Sequence, residues 1–364
     1  MNAEAASTCC SCVPSRAHLL SRGCKVEAMK VLFIGGTGLI STAIARQLLQ
    51  AGHEVTLFNR GKSPNRLPEG AQEIQGDRKD YAAFEKAFDG QHYDVAVDMV
   101  AFHPDESASA VRAFSGKVGQ FIHCSTVCVY SGPVTQIPTT ETEPFHSIGG
   151  YGKNKIECEK LLMAAHAAGK LPVTIMRPSH SYGEGGNLTR SFGAFGAAGS
   201  FVTRMRAGKP LIVQGDGSGL WAACHVDDVA RGFIGVMQNP KCLGQAYNIT
   251  GDEWMTWNTY YEQVAEVIGA RYEPVHIPTD TLRQVAPGMA SSTHEIFEWP
   301  SIFSTQKIKR DTNYDGQKIS WREGSKRNID WLDQNNKLSP EEDDYEDRLI
   351  AAWRAKTAEL PVKK

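Results

Sequence analysis

Tyr151 and Lys155 stand four residues apart in YGKNK, at the start of a segment whose apolar spacing predicts a helix. That interval places both side chains on one helix face. A lysine ammonium about 4 Å from a phenol, at an effective dielectric near 20, favours the phenolate by roughly 4 kcal/mol, or about three pK units. The spacing therefore predicts a tyrosine that titrates near neutrality and exchanges a proton with an alcohol or carbonyl oxygen. Taken alone, the pair also fits an ordinary exposed helix start.

A second group of residues suits an anion. In KVLFIGGTGLIS an apolar run ends on Gly35 and Gly38 and passes directly into helical spacing. Glycine permits positive φ and close backbone approach, and the first amides of the following helix attract a pyrophosphate. A strand before the turn and a helix after it predict a dinucleotide site. At the end of the next strand stand Asn59 and Arg60, where a carboxylate would select NAD(H). Arginine instead pairs with a 2′-phosphate, so NADP(H) is preferred and NAD(H) stays open. The competing reading makes Arg60 a solvated loop residue. Asp77 and Arg78, after the third strand, are placed to line the adenine pocket.

These residues need a scaffold, and the periodicity describes one. Strand-like runs at 30–34, 54–58, 71–75, 94–99, 120–124 and 173–176 alternate with helical patterns at 40–48, 81–88, 105–114 and 151–166. Such alternation means a parallel sheet with helices on both faces, an α/β Rossmann-type doubly wound domain. Past residue 182 the sequence becomes Gly-rich and irregular, with shorter periodic stretches such as 258–268. The expected organisation is a dinucleotide-binding core at 29–182, then a smaller interleaved substrate lobe at 183–332 with segments returning to the core. An acidic helical tail at 333–364 reads as a solvated terminal helix.

Residues 1–28 carry no apolar periodicity and hold Cys9, Cys10, Cys12 and Cys24. They fit a transit peptide, a disordered tail, or sequence ahead of a start at Met29. CCSC lacks a second ligand pair, so no metal is expected there. Nine cysteines without repeating spacing argue against a disulfide framework, and Cys124, Cys128 and Cys158 read as small buried hydrophobes. Lys and Arg total 39 against 41 Asp and Glu, a net charge of −2. That balance argues against nucleic-acid and anionic-membrane partners. No apolar run approaches the roughly 20 residues of a membrane span. The expected location is cytoplasmic, or organellar if the N-terminus is a transit peptide.

In order along the chain, IGGTGLIS, GDRKD, HCSTVCVY, YGKNK, RPSHSYG and CHVDDVA resemble the extended short-chain dehydrogenase/reductases, the NAD(P)-dependent epimerase/dehydratase family. The resemblance covers 29–332. It implies that Tyr151 exchanges a proton with the substrate oxygen, that Lys155 binds the nicotinamide ribose and lowers the tyrosine pKa, and that Thr126 hydrogen-bonds the same oxygen. Ser125 is the alternate hydroxyl. Leu39 and Ile40 would contact the pyrophosphate through their backbone, Val100 and Ala101 would line the cofactor cleft, and Pro178 would lie beside the nicotinamide. A homodimer is usual among relatives.

The departures from that pattern also inform. Ser41 replaces the third glycine of the fingerprint, small for small. Val127 and Cys128 follow Thr126 where the sugar dehydratases carry an acidic pair, which weakens a dehydratase reading. His180 and Trp221 stand where sugar-nucleotide enzymes place the asparagine and arginine that hold the diphosphate. Indole cannot replace a bidentate guanidinium, which puts a nucleotide sugar in doubt unless Arg204 or Arg206 has taken over. Trp221 fits either a stacking platform or a packing residue. His180 fits a substrate ligand or a hydrogen-bonded liner. His225 reads as structural, with a carboxylate from Asp227 or Asp228 capping a helix.

Two functions follow. The first is an oxidoreductase or epimerase moving hydride at a carbinol or carbonyl carbon of a sugar-like or other small substrate. The second is a nucleotide-binding, RNA-associated or regulatory protein with little catalysis, as in the chloroplast stem-loop RNA-binding group. The intact Thr126, Tyr151 and Lys155 set favours the first, and the basic segments TRMRAGK and KIKR read as solvated faces.

Overall fold

The structure, a computed structural model, describes residues 27–62, 67–186, 188–193, 199–341 and 343–361. The N-terminal cysteine cluster and nearly all of the extension expected at 1–28 lie outside the described residues.

The first half alternates strand and helix. In order come β1 (Lys30–Ile34), α1 (Leu39–Gln50), β2 (Glu54–Asn59), β3 (Gln72–Gln75), α2 (Tyr81–Ala87), β4 (Tyr93–Asp98), α3 (Pro104–Phe114), β5 (Val118–Cys124), α4 (Gly150–Ala167) and β6 (Val173–Pro178). The second half is more broken. It holds β7 (His180–Tyr182), α5 (Ser200–Arg206), β8 (Leu211–Gln214), β9 (Leu220–Trp221), β10 (Ala223–His225), α6 (Val226–Val236), β11 (Gln245–Ile249), β12 (Met255–Thr256), α7 (Trp257–Ile268), β13 (Pro274–Ile277), α8 (Thr279–Val285), α9 (Gln306–Asp311), α10 (Trp321–Gln334) and α11 (Tyr345–Ala358).

Seven strands form one parallel sheet in the order β11-β6-β5-β4-β1-β2-β3. Strand order reverses between β1 and β4, and in open α/β sheets the crevice at the carboxyl ends beside that reversal takes the ligand. Both faces are covered, as the continuous apolar runs require. Val31, Phe33, Val95 and Val97 pack on α1 and α6 through Ile44, Leu48, Val229 and Phe233. Leu32, Ile34, Ala96 and Phe121 face the other way, toward Phe84, Phe114 and Leu162 of α2, α3 and α4. A fully buried Phe or Leu contributes about 1.5–3 kcal/mol, so the period-2 alternation fixes the register.

Two segments from the second half, α6 and β11, complete this core. The rest builds a lobe around Phe201, Trp257, Tyr260, Tyr261 and Trp321. Tyr260 and Trp321 stack with centroids 4.2 Å apart, which joins α7 to α10. The terminal helix departs from its expected solvated state. Ile350 of α11 is buried against Ile212, Val275 and Leu282, with Tyr345, Leu349 and Trp353 packed around it. Glu346, also buried, accepts from the Ile212 amide at 2.9 Å and from Arg190 at 2.7 and 2.8 Å. The acidic composition that suggested solvation instead supplies ion-pair partners for a docked helix.

Candidate active site

A cleft of about 870 Å³ opens at the carboxyl ends of β1, β2, β4, β5 and β6. Gly35, Gly38, Leu39 and Ile40 line one wall, with Asn59, Arg60, Asp77, Arg78 and Val100. Gly35 has φ +84°, and a Cβ there would stand 2.3 Å from Val100 Cγ1, so the turn admits glycine alone. Ser41 closes the same turn: its Oγ lies 2.9 Å from the Gly38 amide and 3.2 Å from the Gly38 carbonyl. The Leu39 and Ile40 amides, in the first turn of α1, have no carbonyl four residues back and are free for an anion. Asn59 Nδ2 and Arg78 Nε and Nη1 are buried without a protein partner. A glycine cradle, a helix start and three orphaned donors fit an adenine dinucleotide. Arg78 is itself fixed by Asp98 at 2.9 Å and by the Glu106 carbonyl, with Phe84 beneath its guanidinium at 4.4 Å. Ala101 lies behind the wall rather than on it, and its carbonyl holds Lys155. Pro178 lines the cleft at the end of β6.

Tyr151 and Thr126 meet farther along. Tyr151 sits in the first turn of α4 and is 47 % exposed, while its hydroxyl end lies among Thr126, Cys124 and Cys128. Burial of that end pushes the phenol above its ordinary range, against the hydrogen bond from Thr126. This corrects the expectation of a tyrosine titrating near neutrality. Lys155 Nζ, 6.0 Å from the Tyr151 ring centroid, donates to the Ala101 and Cys124 carbonyls at 2.8 and 2.7 Å. Helical spacing placed the two residues on one face but could not reveal that two strand-end carbonyls hold the ammonium.

Ser125 is not a second hydroxyl free for substrate. It is buried and donates to Glu159 Oε1 at 2.5 Å. Arg177 donates to the same carboxylate from Nε at 3.0 Å and from Nη2 at 2.5 Å, and its Nη1 reaches the Tyr130 hydroxyl. Burial alone would lower the Arg177 pKa, but the Glu159 hydrogen bonds and charge outweigh it and hold the guanidinium protonated. Glu159 and Arg177 escaped the sequence reading. The available signals were the second i+4 step beyond Lys155 and the arginine before Pro178.

His180 and Trp221 both line the far end of the cleft. Trp221 is 3 % exposed, stacked on Trp257 at 4.7 Å, edge-on to Phe297 at 5.1 Å and tilted against His180 at 5.5 Å. Its faces are engaged in packing, so the stacking-platform alternative fails. Arg204 does not reach the cleft at all. It is 1 % exposed, bound to Glu341 and Asp347 at 2.5 Å each and to the Pro210 carbonyl at 2.6 Å, and Arg206 pairs with Asp333. Neither replaces a diphosphate-binding arginine. His225 is structural, but it caps α6 itself, accepting the Asp227 amide at Nδ1. Asp227 turns to Arg46 and Arg327, and Asp228 to the Lys318 and Ile319 amides, so neither carboxylate caps the helix.

Residues 31–250 match the NAD dependent epimerase/dehydratase family. The chain is 26 % identical to 2′-dehydrokanamycin reductase of Streptomyces kanamyceticus over 289 residues, 79 % of this chain and 80 % of the relative. It is 30 % identical to chloroplast stem-loop binding protein of 41 kDa b of Arabidopsis thaliana over 254 residues, 66 % of this chain and 63 % of that protein. Among solved structures, UDP-glucose 4-epimerase of Thermotoga maritima superposes with a TM-score of 0.68 at 23 % identity, covering 85 % of this chain and all of that one. The dTDP-glucose 4,6-dehydratase of Bacillus anthracis, in complex with NAD, gives 0.70 at 18 % identity, with 86 % and 99 % covered. With the fold and the family match in agreement, the chain belongs to the NAD-dependent epimerase/dehydratase family, enzymes of the extended short-chain dehydrogenase/reductase type.

Proposed function

We propose that the protein is an NADP(H)-preferring oxidoreductase that interconverts a carbonyl and a carbinol on a small substrate, with Tyr151 exchanging the proton at the substrate oxygen. The observation that carries this reading is the meeting of Tyr151 with Thr126 on the wall that continues from the glycine turn. A nicotinamide dinucleotide, when bound, supplies or accepts the hydride. Leu39 and Ile40 would hold its pyrophosphate, Arg78 and Asn59 its adenosine, and Arg60 with Lys62 a 2′-phosphate. Lys155 would meet the nicotinamide ribose from its seat on the Ala101 and Cys124 carbonyls, and Pro178 would lie beside the ring.

Burial raises the Tyr151 phenol above its ordinary range. At neutral pH Tyr151 keeps its proton and is suited to act as the acid toward a developing alkoxide when a carbonyl is reduced. Similarity to a reductase over most of both chains points the same way. The RNA-associated alternative has little to rest on, because the two basic segments are paired. Arg204, Arg206 and Lys209 bind acids of α10 and the tail, while Lys309 binds Asp252 and Arg310 binds Asp311.

The test is Tyr151→Phe assayed with NADPH and a panel of carbonyl compounds, following nicotinamide absorbance and product. NADPH binding should persist while turnover falls roughly 10²-fold or more. Undiminished turnover would refute the assignment.

A further inference from the structure

The cleft is charged at one end only. Its charged lining residues are Arg60, Lys62, Asp77, Arg78, Lys79 and Glu106, all on the dinucleotide side. Beyond Tyr151 the wall is apolar surface from Tyr130, Trp221, Phe297, Trp299 and Phe303, with polar atoms from neutral side chains such as Ser131 and Thr189. Among the described residues no Lys, Arg, Asp or Glu lines that end. Two nearby cations are already met. Arg177 lies behind Tyr130 and is taken by Glu159, and Arg190 is taken by Glu346. The N-terminus of α4 is covered as well, because Glu295 Oε2 lies 2.2 Å from where a Gly149 Cβ would stand.

A diphosphate brought to this wall would lose its hydration and gain no cation, a desolvation cost of several kcal/mol per ion. An ammonium would find no carboxylate among the residues lining that end, with Glu295 standing outside the lining at the start of α4. What the wall does offer is two buried polar atoms without a protein partner, Trp221 Nε1 and His180 Nε2. The other indole of this stack, Trp257, has its Nε1 bound to the Phe297 carbonyl at 3.3 Å, whereas Trp221 Nε1 has no protein partner. His180 has its Nδ1 at 3.2 Å from the Thr189 hydroxyl, which leaves Nε2 as the ring nitrogen without a protein partner. Burial lowers the His180 pKa to about 4, so the ring is neutral at physiological pH. An indole N–H donates only, and a neutral imidazole nitrogen donates or accepts according to tautomer. Buried polar atoms of this kind are normally satisfied, and each left open costs about 1–3 kcal/mol.

We infer that the substrate is an uncharged, hydroxyl- or carbonyl-bearing ring compound whose oxygens bond Trp221 Nε1 and His180 Nε2, and that nucleoside-diphosphate sugars and polyamines are rejected. The inference rests on the oxidoreductase reading only in locating the substrate beyond Tyr151. Its test is calorimetric binding to protein saturated with NADPH, which closes the dinucleotide end to other nucleotides. The probes are p-nitrophenyl β-D-glucopyranoside, cyclohexane-1,2-dione and myo-inositol as neutral compounds, UDP-glucose as the dianion and spermidine as the polyamine. At least one neutral probe should bind with an affinity unchanged between 20 and 200 mM salt, and UDP-glucose and spermidine should not bind. Trp221→Phe and His180→Gln should each weaken the neutral probe by up to about tenfold while NADPH affinity, the control for folding, holds. Binding of UDP-glucose or spermidine, silence from all three neutral probes, or variants that bind as the parent does would overturn the inference. Tyr151→Phe should lose turnover and still bind the neutral probe, weakened by no more than about tenfold, so loss of the catalytic reading and loss of the substrate reading give different results.

Discussion

Replacing Glu159 with alanine should cost about 3–5 kcal/mol of stability, the usual loss when one member of a buried ion pair is removed. Both side chains of the pair are nearly inaccessible, and the carboxylate accepts three bonds from two Arg177 nitrogens and one from Ser125. Without it the guanidinium keeps the Tyr130 hydroxyl and the faces of Tyr130 and Phe145, at 5.1 and 5.2 Å, but no counter-charge. The orphaned Ser125 hydroxyl adds roughly 1 kcal/mol. Glu159→Gln retains an acceptor and should lose less than Glu159→Ala. The double replacement Glu159→Leu with Arg177→Met should recover most of the loss, since apolar side chains of similar volume often substitute for a buried pair at little cost. Urea unfolding followed by tryptophan fluorescence gives each difference as a midpoint shift at constant slope. Glu159 also fixes Ser125, the neighbour of Thr126, against the helix that carries Tyr151. Turnover should therefore fall in Glu159→Gln with NADPH affinity unchanged. A midpoint for Glu159→Ala within the equivalent of 1 kcal/mol of the parent would refute the ion-pair argument.

Two further outcomes follow from the site. Arg60→Glu should weaken NADPH by roughly 10- to 100-fold, the worth of one charge-assisted hydrogen bond of about 1.5–3 kcal/mol, and leave NADH nearly unaffected; equal responses in a fluorescence titration would remove Arg60 from any 2′-phosphate contact. The pH dependence of stability carries a sign set by His180 and by His123, whose pKa values burial lowers, to about 4 for His180 and well below the ordinary range for His123. The unfolded chain then binds more protons than the folded one below pH 6.5, so stability is full above that value and declines as pH falls toward 4, by at most about 3 kcal/mol for His180. His180→Gln should flatten its share of the decline between pH 6.5 and 4 in urea midpoints, and superimposable curves would show that the folded ring titrates normally.

What was legible in the sequence was whatever depends on period and local chemistry. Apolar runs separated by helical spacing described β1, β2, β4, β5 and β6 and their helices within a few residues, because parallel strands buried on both faces cannot be polar; the edge strand β3, QEIQ, is mostly exposed and lacks that signal. The glycine turn was legible for the same reason: only glycine fits 2.3 Å from Val100 Cγ1. Long-range partners were not legible. Arg204 looked available to substrate because the acids that hold it, Glu341 and Asp347, are 137 and 143 residues away and looked like a solvated tail. Platform and packing readings of Trp221 stayed level in the sequence because neither Trp257 nor Phe297 is close in the chain. Lys155 was given a phenol to act on, and the two carbonyls that hold its ammonium lie 31 and 54 residues earlier, at the end of β5 and just past β4.

Those carbonyls explain why the helix serves the site as it does. Tyr151, Lys155 and Glu159 repeat at intervals of four, on one face of α4 over its first three turns. The second turn is tied by Lys155 to Cys124 at the end of β5 and to Ala101 just past β4. The third is tied by Glu159 to Ser125 and to Arg177 on β6. The helix is thus bolted to the carboxyl edges of three adjacent strands, and only its first turn projects beyond them. Tyr151 occupies that projecting turn, which is why it alone of the three side chains has a large exposed surface. A proton donor must reach substrate without moving, and a short overhang from a doubly anchored helix provides reach and rigidity together. On this argument the lysine first serves as a mechanical tie, and whatever it does for the phenol depends on that tie holding its ammonium between the sheet and the cleft.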